Sequence, residues 1–257
     1  MSNFTISKSA IIGVNVEIGR NSIINDNVVI KDNTIIGENC IVGELNAKSY
    51  HNQRYINPST YIGANSIIRS GSIIYAGSIF GDYFVTGNMV SIRENSVFGK
   101  HCIVGTFTDI QGDVKFGDYC RLNSHVQIAS KCMFGSFIFI YPMVVFTNDP
   151  LPPSNTLIGA TVDNFSQIAA GSIILPGISI GKHCLIGANS LVNKDVPDYE
   201  FHAGNPSVRI GKVNHIWSKE NKRPQYPWPY NYDRNLPWSG VGFEEWIKTE
   251  EGKIYSF

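Results

Sequence analysis

The chain has 257 residues, with 21 basic and 21 acidic side chains and no net charge. That length permits a large core, or one extended repeat structure with an appendage. Balanced charge argues against a nucleic-acid binder, which carries a basic surface, and no apolar run approaches the length that spans a bilayer. The polar stretch 1–10 lacks the apolar segment of a signal peptide, so a cytoplasmic location is expected.

A six-residue beat begins at once. Its aliphatic openers are Ile6, Ile12, Ile18, Ile24, Ile30, Ile36 and Val42. The segment 43–55 (GELNAKSYHNQRY) interrupts it. The beat resumes at Ile56, Ile62, Ile68, Ile74 and Phe80, slips at Thr86, and continues from Ile92, Phe98, Val104 and Ile110 to Phe146. A second interruption, 147–161, carries the Pro-stiffened NDPLPP stretch, and a third run leads from Val162 to Val192. The residue after the opener is often Gly, the fourth of each unit is often Asn or Gly, and the fifth is usually small. No amphipathic helix keeps a period of six, and strand alternation alone does not put Gly at a fixed offset. A repeat this short marks a solenoid in which each unit stacks on its neighbour around one continuous core.

Over roughly 4–213 the pattern resembles the hexapeptide repeat of the left-handed parallel β-helix, in which three hexads make one triangular coil. The resemblance implies an all-β fold over 1–213 with two extruded loops, 43–55 and 147–161, which commonly form a binding face. Residues 18 apart would then stack at about 4.8 Å. Asn15, Asn21, Asn27, Asn33, Asn39, Asn65, Gly71 and Gly77 take the corner slot that needs a left-handed backbone. The five cysteines, Cys40, Cys102, Cys120, Cys132 and Cys184, all fall in the inward small-residue slot. They read as buried thiols rather than metal ligands, and no metal is expected. His101, His125 and His183 occupy corner slots, and the ladder Glu94, Gly112, Ser130, Asn148 shares one corner.

The tail, 214–257, holds all four tryptophans, Trp217, Trp228, Trp238 and Trp246, with Tyr226, Tyr230 and Tyr232. So many aromatics predict docking on a solenoid, its own or a neighbour's. FEEWIKTE predicts a short helix over 243–250.

Before the tail, 187–213 contains Lys194-Asp195-Val196-Pro197 and Gly204-Asn205-Pro206, and resembles the terminal signature of hexapeptide-repeat acyltransferases. Val145-Phe146-Thr147-Asn148-Asp149 narrows the resemblance to N-acyltransferases of nucleotide-linked (dTDP) amino-deoxyhexoses, as used in surface-polysaccharide biosynthesis. The resemblance implies a homotrimer with active sites in the clefts between solenoids, and acetyl-CoA or another acyl-CoA as co-substrate. It further implies a nucleotide-linked amino sugar as acceptor, such as a dTDP-3-amino-3,6-dideoxyhexose. It places Asn148 and Asp149 near the sugar amine, Lys194 and Arg209 at CoA phosphates, and Ala169 and Gly187 where pantetheine approaches the backbone. Arg93, Glu94 and Asn88 are the substrate-binding candidates. Related sequences commonly carry His where Asn88 stands, so a histidine role there does not transfer.

Acyl transfer to an amine needs a neutral amine, a stabilised oxyanion and a route for one proton. Asp149 would orient the amine or accept its proton, with His125 or Asn148 holding a neighbouring hydroxyl or the developing charge. A hydroxyl acceptor needs a stronger base, and an O-acetyltransferase with His125 as base is the enzyme alternative. A γ-type carbonic anhydrase needs three histidines on zinc, a spacing the six histidines do not offer. A non-catalytic scaffold is disfavoured by the C-terminal signature and the second loop.

Overall fold

The computed structural model describes residues 3–47, 49–52, 55–220 and 222–256. Lys48, Gln53 and Arg54 of the first interruption, Asn221 and Phe257 of the tail, and the first two residues lie outside the described residues.

Short parallel strands stack into three faces. Face A has ten strands, from Thr5–Ile6 to Leu191–Val192, and face B has nine, from Ile11–Ile12 to Ser179–Ile180, counted among the described residues. Face C runs from Glu17–Ile18 to Leu185–Ile186 and ends in an antiparallel pair, Glu200–Ala203 with Val208–Lys212. Successive strands visit A, B and C in turn, so most partners are 18 residues apart, as in Ile92 with Ile110 and Val104 with Leu122. The result is a three-sided parallel β-solenoid.

From Ile24 onward nearly every opener points inward. Ile24, Ile30, Ile68, Ile74, Ile92, Ile110, Ile128 and Ile168 belong to one continuous buried core. The small fifth residues close the corners from within. Ser22 Oγ donates to the Gly37 carbonyl at 2.7 Å and accepts from the Cys40 amide at 3.0 Å. Ser166 does the same with Gly181 and Cys184. All five cysteines are buried in this slot, and burial raises the Cys132 and Cys184 thiols to about 11. These two remain protonated and inert as nucleophiles at neutral pH.

One expectation fails. Ile56 is not an opener but is 80% exposed. The chain leaves face A after Glu44 and re-enters face B only at Thr60, so Ile62 is the first inward residue of the new run. Asn57 closes the neck of this longer loop, its buried Nδ2 donating to the Gly43 carbonyl at 2.9 Å. That contact fixes the chain before it can enter the strand. The second loop leaves face A after Phe146 and re-enters face B at Thr161. Both loops therefore emerge at the A–B corner.

The fourth residue of most hexads has positive φ, in Asn15, Asn21, Asn33 and Asn65 as expected, but also in Tyr83, Phe107, Phe137 and Phe165. A left-handed conformation costs a large L-residue about 1–2 kcal/mol, so these positions need compensation. At the B–C corner it comes from a ladder of near-parallel rings, Tyr83, His101, Tyr119, Phe137, Phe165, His183 and Tyr199, with neighbouring centroids 4.5–4.9 Å apart. Each stacked pair offsets roughly 0.5–1.5 kcal/mol.

The tail docks on its own solenoid, over this ladder and the adjoining part of face C. Trp228, Leu236, Trp238, Phe243, Trp246 and Tyr255 form a second buried cluster with Tyr119, Phe137, Phe139 and Phe165. Trp228 Nε1 donates to the Phe165 carbonyl at 2.7 Å, Tyr255 hydroxyl donates to Asp118 at 2.5 Å, and Lys100 pairs with Glu251 at 2.7 Å. The helix within 243–250 is one turn, Phe243–Trp246, followed by a second at Glu250–Lys253, which Thr249 caps through its side chain. No helix among the described residues is long and apolar enough to cross a membrane.

His183 supplies a pH test of the ladder. Its ring lies between Phe165 and Tyr199, and burial lowers its pKa from 6.5 to about 4. The unfolded chain therefore takes up a proton that the fold refuses between those two values. Its stability contribution is complete above pH 6.5 and declines as pH falls to about 4. Thermal melting across that window should show a slope that His183→Phe, patterned on Phe165, reduces.

Candidate active site

The expected site residues divide between two edges of face A. His125 and Asn88 lie on the C–A corner, as do Ala169 and Gly187 on higher coils. Arg93, Glu94, Asn148, Asp149 and Lys194 lie on the A–B corner, where the strand register aligns Ile92, Ile110, Ile128, Phe146, Ile174 and Val192. Five residue steps carry the chain from His125 across face A to Ser130, roughly 16 Å of extended chain. Within one copy His125 and Asp149 do not meet.

The A–B edge carries the richer chemistry. A groove of about 540 Å³ is walled by Gln111, Gln127, Thr147, Asn148, Asp149 and Pro150 on the polar side of the second loop, with Phe146, Leu175 and Pro176. Asn148 sits over Ser130, as the stacking predicts, and its Nδ2 donates to Ser130 Oγ at 2.8 Å. That bond orients the amide. The Ile158 amide donates to the Asn148 carbonyl at 2.7 Å and closes the loop's neck. The Asp149 carboxylate accepts from Ser154 Oγ at 2.7 Å, Ser154 N at 2.9 Å and Leu151 N at 3.1 Å. These bonds, the Ser154 hydroxyl foremost, lower its pKa. Asp149 is thus a fixed anion at the groove wall, better suited to holding a cationic or polarised N–H than to taking a proton.

About three coils lower, roughly 14 Å down the same corner, the first loop walls another cavity of about 490 Å³, lined by Glu44, Leu45, Tyr50, His51, Tyr75 and Arg93 among others. Arg93 makes a two-point bridge to Glu94, both contacts at 3.0 Å, and its guanidinium lies 5.4 Å from the Tyr75 ring centre. A phosphate reaching Arg93 competes with Glu94. Tyr50 donates to Glu44 at 2.7 Å across the cavity mouth.

On the C–A edge, His125 is exposed with φ of 59° and stacks on Phe107, the ring centres 5.2 Å apart. Asn88 is exposed, its backbone N–H donating to Thr106 Oγ1 at 3.2 Å. Ala169 is half-buried and donates its N–H to Ile186. Gly187 has an internal reason to be glycine, since a Cβ there would stand 2.7 Å from Ala203 Cβ.

Lys194 is exposed on the A–B corner, whereas Arg209 is on the last pair of face C, opposite that corner. Arg209 Nε donates to Glu200 at 2.6 Å, and His202 takes the other carboxylate oxygen at 2.8 Å. The two cations therefore do not converge within one copy. His101 and His183 belong to the tail-covered ladder, which separates them from His125. The sequence reading did not anticipate the polar cavity under the tail, lined by Arg121, Asn123, Gln167 and Gln225 with aromatic side chains.

Comparison with known proteins agrees with this architecture. Residues 4–44 match the bacterial transferase hexapeptide (six repeats). The chain is 49% identical over 47 residues to a galactoside O-acetyltransferase of Lactococcus lactis subsp. lactis, covering 18% of this chain and 23% of that one. It is 41% identical over 54 residues to the dTDP-3-amino-3,6-dideoxy-alpha-D-galactopyranose 3-N-acetyltransferase of Aneurinibacillus thermoaerophilus, covering 21% and 28%. The matched segments thus span about a quarter of these curated relatives' length. In fold, the chain is similar to the UDP-N-acetylglucosamine acyltransferase of Campylobacter jejuni, with TM-score 0.54 and 16% identity over 86% of this chain and 79% of that one. The Arabidopsis UDP-N-acetylglucosamine acyltransferase gives TM-score 0.52 and 16% identity over 99% and 91%. The beat over residues 4–44 matches the bacterial transferase hexapeptide repeat, and the chain's parallel β-solenoid is similar in fold to acyltransferases.

Proposed function

We propose that the chain transfers an acetyl or similar acyl group from acyl-CoA to the amine of a nucleotide-linked amino-deoxyhexose. The observation that carries this reading is the fixed Asp149 carboxylate in the wall of the A–B groove, beside the oriented amide of Asn148. An anion with a lowered pKa attracts an amino sugar and aligns its N–H, and offers little to a neutral hydroxyl. The relative that acts on a dTDP-amino sugar supports the same acceptor class.

In this mechanism the amine lone pair attacks the thioester carbonyl, forming C–N and then breaking C–S. Asn148 Oδ1 and Asp149 receive the amine's N–H bonds. The proton lost from nitrogen finally reaches the CoA thiolate, with His125 as relay. Because His125 and Asp149 lie on opposite edges of face A, the site needs two copies, with the His125 edge of one meeting the Asp149 edge of the next. A homotrimer with face A turned toward its axis closes three such clefts. The elongated acceptor would extend from the Asp149 groove down the A–B corner toward Arg93, and Lys194 would meet CoA phosphate above. Arg209, across the solenoid, fits a CoA phosphate only from an adjacent copy.

The second reading is O-acetylation with His125 as base, favoured by that exposed ring and by the galactoside O-acetyltransferase relative. A thiol-release assay with acetyl-CoA against nucleotide-linked amino sugars and their hydroxyl counterparts separates the two. Turnover with amines alone supports N-acylation; turnover with hydroxyls alone transfers the role of essential base to His125. Thiol release with neither, also when longer acyl-CoA donors are supplied, counts against both.

A further inference from the structure

Where the tail crosses face C it leaves a cavity of about 290 Å³ between itself and the solenoid. Its floor is three outward residues stacked on successive strands, Arg121, Phe139 and Gln167. Its roof comes from the tail, Gln225, Tyr226, Trp228 and Tyr232, and its open side meets the C–A corner at Asn123 and Tyr141. That corner also bears His125, two residues beyond Asn123.

Three properties of this cavity point to a ligand. Gln167 is only 7% exposed, yet its side-chain amide opens on the cavity rather than being sealed within protein. Gln225 presents a second amide from the tail, its backbone carbonyl held by Asn231 Nδ2 at 2.9 Å. The walls also offer aromatic faces and edges, with Trp228 and Tyr232 set edge-on to Phe139. Finally, Arg121 is half-buried and meets only neutral groups, the Tyr232 hydroxyl at 3.1 Å and the Phe139 ring. No carboxylate lines the cavity.

We propose that this cavity is a nucleobase subsite, with the base paired edge-on to the Gln167 and Gln225 amides and a phosphate of the same nucleotide facing Arg121. A carboxamide offers one donor and one acceptor in a plane, the pattern a base edge matches. Aromatic walls accept the ring faces, and the guanidinium, which meets no carboxylate in the cavity, selects an anion. The volume holds one ring system and leaves sugar and phosphates to emerge at the C–A corner, toward the cleft. The nucleotide would be either the adenosine 3′-phosphate end of CoA or the nucleoside diphosphate of the acceptor. The proposal rests on the acyl-transfer reading for its biological source, but the binding itself stands apart from it.

The test is equilibrium binding to the full chain, by calorimetry and tryptophan fluorescence, of adenosine 3′,5′-bisphosphate and of thymidine diphosphate, each titrated separately. One of the two should bind saturably with quenching of tryptophan emission, and which one does so identifies the source. Gln167→Leu should weaken that nucleotide about tenfold or more, and Gln225→Ala should weaken it from the tail side, while the melting temperature stays near that of the parent. Arg121→Gln should reduce the salt dependence of binding. Saturable binding that none of the three variants alters would overturn the proposal, as would absence of binding by both nucleotides. Acyl transfer with unchanged KM values in Gln167→Leu defeats the subsite alone; nucleotide binding that depends on Gln167 without any acyl transfer defeats the catalytic reading alone.

Discussion

Replacing Asp149 by Asn or His125 by Asn should each lower kcat/KM by about 10² or more, the range for a positioned proton-transfer or orienting group. The two losses should differ in kind. Asp149 accepts three hydrogen bonds within the second loop, and an amide replaces one of its acceptor oxygens with a donor, so Asp149→Asn loses both charge and loop order. Ser154→Ala is the control, because it removes the 2.7 Å hydroxyl bond but keeps the anion. A small effect of Ser154→Ala beside a large effect of Asp149→Asn assigns the loss to charge at the amine. His125 is exposed and, among the described residues, its ring stacks only on Phe107, so His125→Asn should leave folding intact and alter the chemical step, with KM for acyl-CoA unchanged. Steady-state kinetics with the preferred amino-sugar acceptor checks both, and near-parental turnover by the two variants would dispose of the mechanism.

The largest stability effect is expected at Trp238. It is fully buried, with ring centres 5.0–5.8 Å from those of Phe137, Trp228, Phe243 and Trp246, and its Nε1 donates to the Tyr232 carbonyl at 2.9 Å. Truncation to Ala should cost about 3–5 kcal/mol. The loss should fall on the tail, because the solenoid core of Ile110, Ile128 and their neighbours is a separate cluster sealed by its own coils. Hydrogen exchange should show amides over Trp228–Tyr255 losing protection, while Ile110 and Ile128 keep theirs. Uniform loss across the coils would mean that the tail is integral to the solenoid.

The coils were legible in the sequence because their geometry is local and repeats. An opener, a left-handed fourth residue and a small fifth residue each leave a mark in every hexad, and Ile24, Asn33 and Cys40 are where the beat put them. What failed was phase. The first excursion ends at Thr60, and Ile56 has the right residue type but follows a neck closed by a long-range bond, Asn57 to Gly43. The aromatic ladder went unread for a related reason. Its rings are 18 apart from Tyr83 to Phe137, then 28 apart to Phe165, since the second loop intervenes between face A and face B. The candidate site was legible as residues but not as a place. Asn148 over Ser130 followed from stacking, yet the separation of His125 from Asp149 depends on which corner each hexad turns. The tail's docking surface, and the buried Gln167 beneath it, depend on contacts between segments some sixty residues apart in the chain, as between Phe165 and Trp228.

The central claim is that one active site is built from two edges contributed by different copies, and co-expression of the two inactive variants tests it most directly. In mixed assemblies of His125→Asn and Asp149→Asn chains, some clefts receive the intact His125 edge from one copy and the intact Asp149 edge from the next. Random closed assembly from equal amounts should restore about a quarter of the parental rate. Activity no greater than the sum of the two variants alone would show that the edges do not meet between copies, and the two-copy site would be wrong.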